Sequence, residues 1–150
     1  MATTPDFMLG IDGKIYYHAT AGTALATMTL LLSNAQDVSL KLSAGEADIT
    51  TRANSGWKAT APTLKEAEVS FGYMYKGGEA GAIALRTAFL ANTAIAMAVL
   101  TGAKAGTGVE GPVGDWCITE MSRDESLAEA IKYNVTAKLT KYLAWAIDGA

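Results

Sequence analysis

A chain of 150 residues is one ordinary domain, long enough to bury about 68–70 % of the surface its unfolded form exposes. Half of its residues are hydrophobic, only 18 % are charged where about 25 % is usual, and mean hydropathy is +0.18, a composition that points to extensive subunit interfaces. Its net charge of −3 and pI near 5.1 exclude a basic stripe for holding nucleic acid, while leaving open a surface that nucleic acid passes without sticking.

Taken in order, residues 1–10 read as an N-terminal arm suited to contacts between subunits, and Asp12-Gly13 as a turn before a short strand at 15–17. Residues 24–33 place Met28, Leu30 and Leu32 on one side of an expected strand. A turn at 34–37 leads to a half-buried strand in which Val38, Leu40 and Leu42 alternate with Ser39 and Lys41, and Ala44-Gly45 breaks it. Asn54-Ser55-Gly56 forms a turn beside the large apolar Trp57, and Pro62 makes a second turn. From Lys65 to Tyr75 the alternation is clean, with Ala67, Val69, Phe71, Tyr73 and Tyr75 on one face and Glu66, Glu68, Ser70 and Gly72 on the other.

Residues 79–92 are alanine-rich, with Ala82, Leu85 and Phe89 at helical spacing and Glu79 at the electropositive start, and form the single expected helix, lying across the sheet as a cover. An apolar strand at 95–100 precedes a glycine-rich loop at 102–114. A strand follows at 113–121, then a charged connection at 122–126. The last strand sets Ile131, Tyr133, Val135, Ala137 and Leu139 against Lys132, Asn134, Thr136, Lys138 and Thr140. Residues 142–150, with Trp145, form an apolar C-terminal tail for docking on a neighbour. Without repeats or linkers, the pattern is one mainly β domain over 1–150: an antiparallel sandwich or barrel with a helix on its flank.

The reactive residue types do not converge. Gly106-Thr107-Gly108-Val109-Glu110-Gly111 matches a dinucleotide fingerprint literally, but Pro112 and a strand follow where the motif needs a helix. His18 is the single histidine and Cys117 the single cysteine, too few for a catalytic triad, a histidine metal site or an intrachain disulfide, and the thiol fits a reducing cytoplasm. Glu66 and Glu68 share a face as acid–base pairs do, yet a solvated strand reads identically, as does Asp124-Glu125 beside Arg123. Asp6 with Asp12, or Glu46 with Asp48, lack a calcium-ligand loop. Phe71, Tyr73 and Tyr75 lack the interleaved cations of a nucleobase platform. No cofactor or metal is expected, and no catalysis. A basic-then-apolar leader and an apolar span of about 18 residues are both lacking, so neither a signal peptide nor membrane insertion is expected, and Asn134-Val135-Thr136 is a chance glycosylation match.

Two segments carry a resemblance. Asp48-Ile49-Thr50-Thr51-Arg52-Ala53-Asn54-Ser55-Gly56-Trp57-Lys58 with Ala61-Pro62-Thr63-Leu64-Lys65, and Ile118-Thr119-Glu120-Met121-Ser122-Arg123-Asp124-Glu125-Ser126-Leu127 with the strand 131–140, resemble the major tail tube proteins of long-tailed bacteriophages, and helix 79–92 falls where that family places its helix. The resemblance covers about half the chain, and 102–114 and 142–150 depart from it.

It implies a virion structural protein of the tail, assembled in the host cytoplasm, whose hexameric rings stack into a hollow tube for DNA ejection. Its implied partners are further copies of itself, the tape measure protein, and tail terminator and distal tail proteins. On that reading Glu66, Glu68, Ser70, Lys132, Asn134 and Thr136 are candidates to line the lumen. Asn54, Ser55, Gly56, Trp57 and Trp145 are candidates for contacts between subunits or rings. The competing readings are the inner tube of a contractile tail or injection system, a small monomeric ligand-binding β-barrel, and an enzyme whose activity is independent of assembly.

Overall fold

The structure is a computed structural model that describes residues 7–147. Residues 1–6 of the expected arm, with Asp6, and residues 148–150 of the expected tail lie outside the described residues. Seven strands form one antiparallel sheet: β1 (Lys14–His18), β2 (Leu30–Leu31), β3 (Ala35–Asp48), β4 (Thr60–Met74), β5 (Ile95–Leu100), β6 (Glu110–Asp124) and β7 (Lys132–Ile147), in the order β2-β1-β5-β6-β7-β4-β3. Among the described residues a single α-helix, α1 (Ala80–Ala91), completes the expected mainly β architecture.

The sheet rolls over on itself. Ile15 and Tyr17 of β1, Val69, Phe71 and Tyr73 of β4, Met97 of β5, Trp116 of β6 and Val135 of β7 all enter one buried cluster. Leu85, Ala82 and Ala88 of α1 close its open side. Helix α1 starts after Glu79 and stops at Asn92, whose left-handed backbone (φ 55°) directs its N–H to the carbonyls of Ala88 and Phe89. Trp116 is completely buried, and its indole N–H is satisfied by the Met97 carbonyl at 3.1 Å.

A second cluster lies on the other face of β5, where Ala96, Ala98 and Leu100 pack with Leu25, Met28, Val109 and Val113. The lid over it is irregular. Here the expected strand at 24–33 is corrected: a 3₁₀ turn at Leu25–Thr27 buries Leu25 and Met28, three positions apart as that turn requires, and only Leu30–Leu31 pairs as strand. Lys104 ties the neighbouring glycine-rich loop to this lid, donating from Nζ to the carbonyls of Met28 (2.8 Å) and Leu25 (3.4 Å). Buried Asp115 does the same for the preceding loop, accepting the Gly22 N–H at 2.6 Å.

Strand ends differ from expectation for identifiable reasons. Ala44-Gly45 does not end β3; the pairing shifts there by a bulge and the strand continues to Asp48. Pro62 is not a turn but stands within β4 opposite Glu46, in a two-stranded stretch that leaves an edge where its missing N–H costs nothing. The glycine-rich loop is shorter than 102–114, because Gly111, Pro112 and Gly114 already belong to β6, which also absorbs 122–124 of the expected charged connection. The tail 142–150 is strand as far as Ile147, with Trp145 opposite Pro112.

Glycine at 111 marks a close backbone approach. A Cβ there would stand on the carbonyl of Val99, main chain that cannot swing aside. Gly111→Ala is therefore expected to lower unfolding stability by about 1–3 kcal/mol, as overpacking does, measured as a fall in the urea midpoint at unchanged slope.

Candidate functional site

Strands β4, β7 and the second half of β6 carry a feature that the rest of the sheet lacks: one face packs on the core and the other has no cover, and β3 extends the uncovered face. Alternation on β4 sends Ala67, Val69, Phe71 and Tyr73 inward, and Glu66, Glu68 and Ser70 outward. On β7, Val135 and Ala137 go inward and Asn134, Thr136 and Lys138 outward. The register sets Glu68 opposite Lys138, Ser70 opposite Thr136, Gly72 opposite Asn134 and Met74 opposite Lys132. Glu66, Glu68, Ser70, Lys132, Asn134 and Thr136, which the sequence offers as two separate polar faces, therefore share one surface.

The surface extends at both sides. From β3 come Ser39, Lys41 and Ser43, opposite Ser70, Glu68 and Glu66. From β6 come Glu120, Ser122 and Asp124, opposite Thr136, Asn134 and Lys132. Glu68 is thus flanked by Lys41 and Lys138, an arrangement in which opposite charges on adjacent strands stabilise pairing. Lys132 passes over Gly72, where a Cβ would meet its Cε, and reaches Asp37 with Nζ at 3.6 Å. Asn134 donates to Asp124 at 3.0 Å. Five carboxylates (Asp37, Glu66, Glu68, Glu120, Asp124) against three lysines (Lys41, Lys132, Lys138) leave the face at about −2, interleaved rather than blocked.

Both sides of this four-stranded segment are open. Strand β3 pairs with β4 alone and is exposed along nearly its whole length, so the expected half-burial of Val38, Leu40 and Leu42 does not occur within the chain. On the far side, β5 accompanies β6 only over Val113–Trp116, so among the described residues the edge of β6 that faces away from β7 has no strand beside it from Cys117 to Asp124. An edge of unpaired N–H and C=O groups this long is a template for another chain.

Beyond the root of β4, the β3–β4 pair projects as a two-stranded hairpin, since β4 meets β7 only over Glu68–Met74. Its tip is built from within. The Asp48 carboxylate accepts the Thr50 N–H (2.9 Å), the Thr50 hydroxyl accepts the Ala59 N–H (2.8 Å), and Asn54 binds Trp57 through both main chain and side chain (2.9 Å each). Thr50, through its side chain first and its N–H second, holds the Asp48 carboxyl below its ordinary value. Ser55 and Gly56, at φ 52° and 82°, close the turn in the left-handed region. This ordered tip holds its largest side chain out in solvent, Trp57 at 76 % exposure, with Ile49 exposed nearby and Leu64 at 85 % on the shaft. Trp145, by contrast, is half-buried, lining a groove with Leu42, Leu139 and Tyr142.

The residues considered for chemistry do not gather. His18 accepts the Thr20 N–H through Nδ1, Cys117 stands on the polar face opposite Lys138, and β6, not a helix, follows the glycine fingerprint. Among the described residues no three His, Cys, Asp or Glu side chains form a metal-binding group, and no helix is long and apolar enough to cross a membrane. An aromatic cluster does form: Tyr73 stacks on Tyr133 at 5.1 Å, Tyr75 tilts against Tyr133 at 5.6 Å, and the Arg123 guanidinium lies 5.9 Å from the Tyr133 ring. Sequence reasoning placed Phe71 and Tyr73 in the core correctly; Tyr75, expected on the same buried face, is exposed just past the end of β4, and Tyr133, the ring on which Tyr73 stacks, was missed because only strand pairing supplies it.

Burial first, and the neighbouring Tyr133, Glu79 and Tyr75 next, push the Tyr73 hydroxyl up to about 12. Because the folded chain disfavours tyrosinate, the stabilisation from this group is complete below pH 10 and is lost as pH rises from about 10 towards 12. Tyr73→Phe should flatten that alkaline loss, and ultraviolet titration of the native chain should show Tyr73 ionising late, with Tyr17, which burial and then Glu79 also push up, above the ordinary value as well. Trp57→Ala should shift unfolding stability by less than about 0.5 kcal/mol, since an exposed side chain makes few contacts to lose.

No protein-family model matches the chain, and no curated protein matches it. Its fold does match solved structures. The tail of an empty gene transfer agent particle, obtained by helical refinement with C6 symmetry, superposes with a TM-score of 0.71 at 15 % identity, covering 94 % of this chain and 98 % of that one. The virion of a native gene transfer agent particle gives 0.69 at 16 % identity, over 92 % of this chain and all of the other. The SPP1 tail tube gives 0.66 at 14 % identity, over 93 % and 77 %. The chain has the fold of these tail and tail-tube subunits.

Proposed function

We propose that this chain is a structural subunit that builds a tail tube from copies of itself. The observation that carries the reading is the pair of open edges on one four-stranded sheet. Strands β6, β7, β4 and β3 alternate in direction, so β3 runs antiparallel to β6. Four is an even number, and simple rotation about an axis therefore brings β3 of one copy antiparallel to the open stretch of β6 in the next. The contact is heterologous, and it closes into a ring when the rotation divides a full turn. Closure removes the edges that a lone subunit would present.

Six copies per ring accord with the C6 symmetry of one structural neighbour. In such a ring the sheets join into one barrel, the α1 side lies outside, and the polar face with Glu66, Glu68, Ser70, Lys132, Asn134 and Thr136 lines the bore. A face near −2 per subunit repels DNA weakly and offers it no cationic row to bind, which suits a conduit for ejection. The role is structural rather than catalytic, in the tail of the virion after assembly in the host cytoplasm. A tape measure protein would occupy the bore during assembly, and terminator and distal tail proteins would meet the two ends.

Negative-stain microscopy of the concentrated purified protein tests the reading. Six-fold rings or straight hollow tubes are expected, with Trp57→Ala remaining a folded, soluble subunit that no longer elongates. A monodisperse monomer at millimolar concentration would overturn it.

A further inference from the structure

Where β3 of one copy meets β6 of the next, side chains have to choose the register, because backbone pairing with the faces matched recurs at every slip of two residues. At the two open edges of the polar face, β3 presents one cation, Lys41, and β6 presents two anions, Glu120 and Asp124. All three are exposed, and among the described residues the ion pairs are Lys132–Asp37 and Arg123–Glu125, so none of the three is ion-paired. Within the chain Lys41 shares Glu68 with Lys138, two lysines to one carboxylate, and Lys41 is the one on the open edge. We infer that Lys41 enters between Glu120 and Asp124 of the neighbouring subunit, with Ser122 directly opposite it, and that this contact sets the register of the seam. The inference rests on the tube reading and names the residues that decide how one subunit of a ring meets the next.

Side chains directly opposite each other in an antiparallel pair share a face. Ser39, Lys41 and Ser43 must therefore meet Glu120, Ser122 and Asp124, and Leu40 and Leu42 must meet Met121 and Arg123. Lys41 then stands opposite Glu120, Ser122 or Asp124. Opposite Glu120, the pairing carries Asp37 towards Asp124, and carboxylate against carboxylate is destabilising. Opposite Asp124, Leu40 and Val38 fall beside residues 125 and 127, past the end of β6, and most of the apolar stripe lacks a neighbour. Opposite Ser122 neither fault arises. Ser39 faces Asp124 and Ser43 faces Glu120, a hydroxyl donor to a carboxylate each time, and Lys41 has both carboxylates on its diagonals at about 7–8 Å between Cα atoms, within the span of a lysine. On the core side Leu42 comes beside Met121, which is half-buried against the first cluster. The bulge after Ala44 also falls alongside Thr119, where β6 has its own.

The stagger between neighbouring strands sets the tilt of a closed barrel, and tilt with strand number sets its diameter. A slip of two residues moves one subunit roughly 7 Å along its neighbour. One lysine per seam thus selects the bore.

A double-mutant cycle on tube formation tests the contact. The critical concentration for assembly is measured by sedimentation at low salt for the unsubstituted chain, Lys41→Glu, Glu120→Lys and the chain carrying both. Lys41→Glu is expected to raise it about fivefold and Glu120→Lys by less, because Asp124 remains. Adding Glu120→Lys to Lys41→Glu is expected to lower it again, and molar salt to shrink all of these differences. Helical reconstruction of tubes from the unsubstituted chain reads the register without any variant, with Lys41 expected opposite Ser122 of the next copy. A second substitution that worsens the first, or a reconstruction with Lys41 opposite Glu120, opposite Asp124 or away from both, would overturn the contact and leave the tube reading standing. Failure of the unsubstituted chain to form rings or tubes would overturn both.

Discussion

The outer edge of β3 has backbone donors and acceptors along its length and, among the described residues, no strand beside them. Everything distinctive about the molecule follows from that unfinished pairing. A solitary sandwich usually hides its edge strands with charge, proline or short length. This chain instead extends β3 to Asp48, keeps Val38, Leu40 and Leu42 on it, and leaves an equivalent gap along β6 from Cys117 to Asp124. The two gaps flank one polar face, and α1 covers the other, so the sheet has an inside and an outside before any partner arrives.

Rigidity of the subunit comes from the part of the fold that takes no share in those edges. Buried Trp116 bridges β6 to β5 through the Met97 carbonyl, Asp115 pins the loop around Gly22, and Lys104 pins the glycine-rich loop to the lid over Leu25 and Met28. These contacts lie at the β1–β5–β6 side, away from the hairpin. The apolar character of the composition divides accordingly between an ordinary core and side chains such as Trp57, Leu64 and Leu42 that the chain itself leaves uncovered.

Much of this was legible in the sequence where the signal is local. Helix 79–92 and strand 95–100 follow from spacing within a dozen residues, and the structure places α1 at Ala80–Ala91 and β5 at Ile95–Leu100. The two-faced character of β4 and β7 was equally plain. What could not be read was that Glu68 and Lys138 are neighbours, because their pairing spans a long stretch of sequence and nothing near either residue announces the partner. Glycine and proline misled: Gly111, Pro112 and Pro62 suggested loops and turns, and they mark a close backbone approach and a strand with an open edge. The alternation Val38-Leu40-Leu42 suggested burial in the chain's own core, and the structure leaves it exposed, an apolar stripe awaiting a neighbour.

The central claim is that β3 of one copy completes the sheet of the next beside β6. Amide hydrogen exchange, compared between dilute subunit and assembled material, tests it most directly because exchange reads backbone pairing residue by residue. The account requires new protection in residues 39–48 and 117–124 together on assembly, with little change in β5, already paired on both sides by β1 and β6. Assembly that leaves both stretches exchanging as they do in the subunit would contradict it.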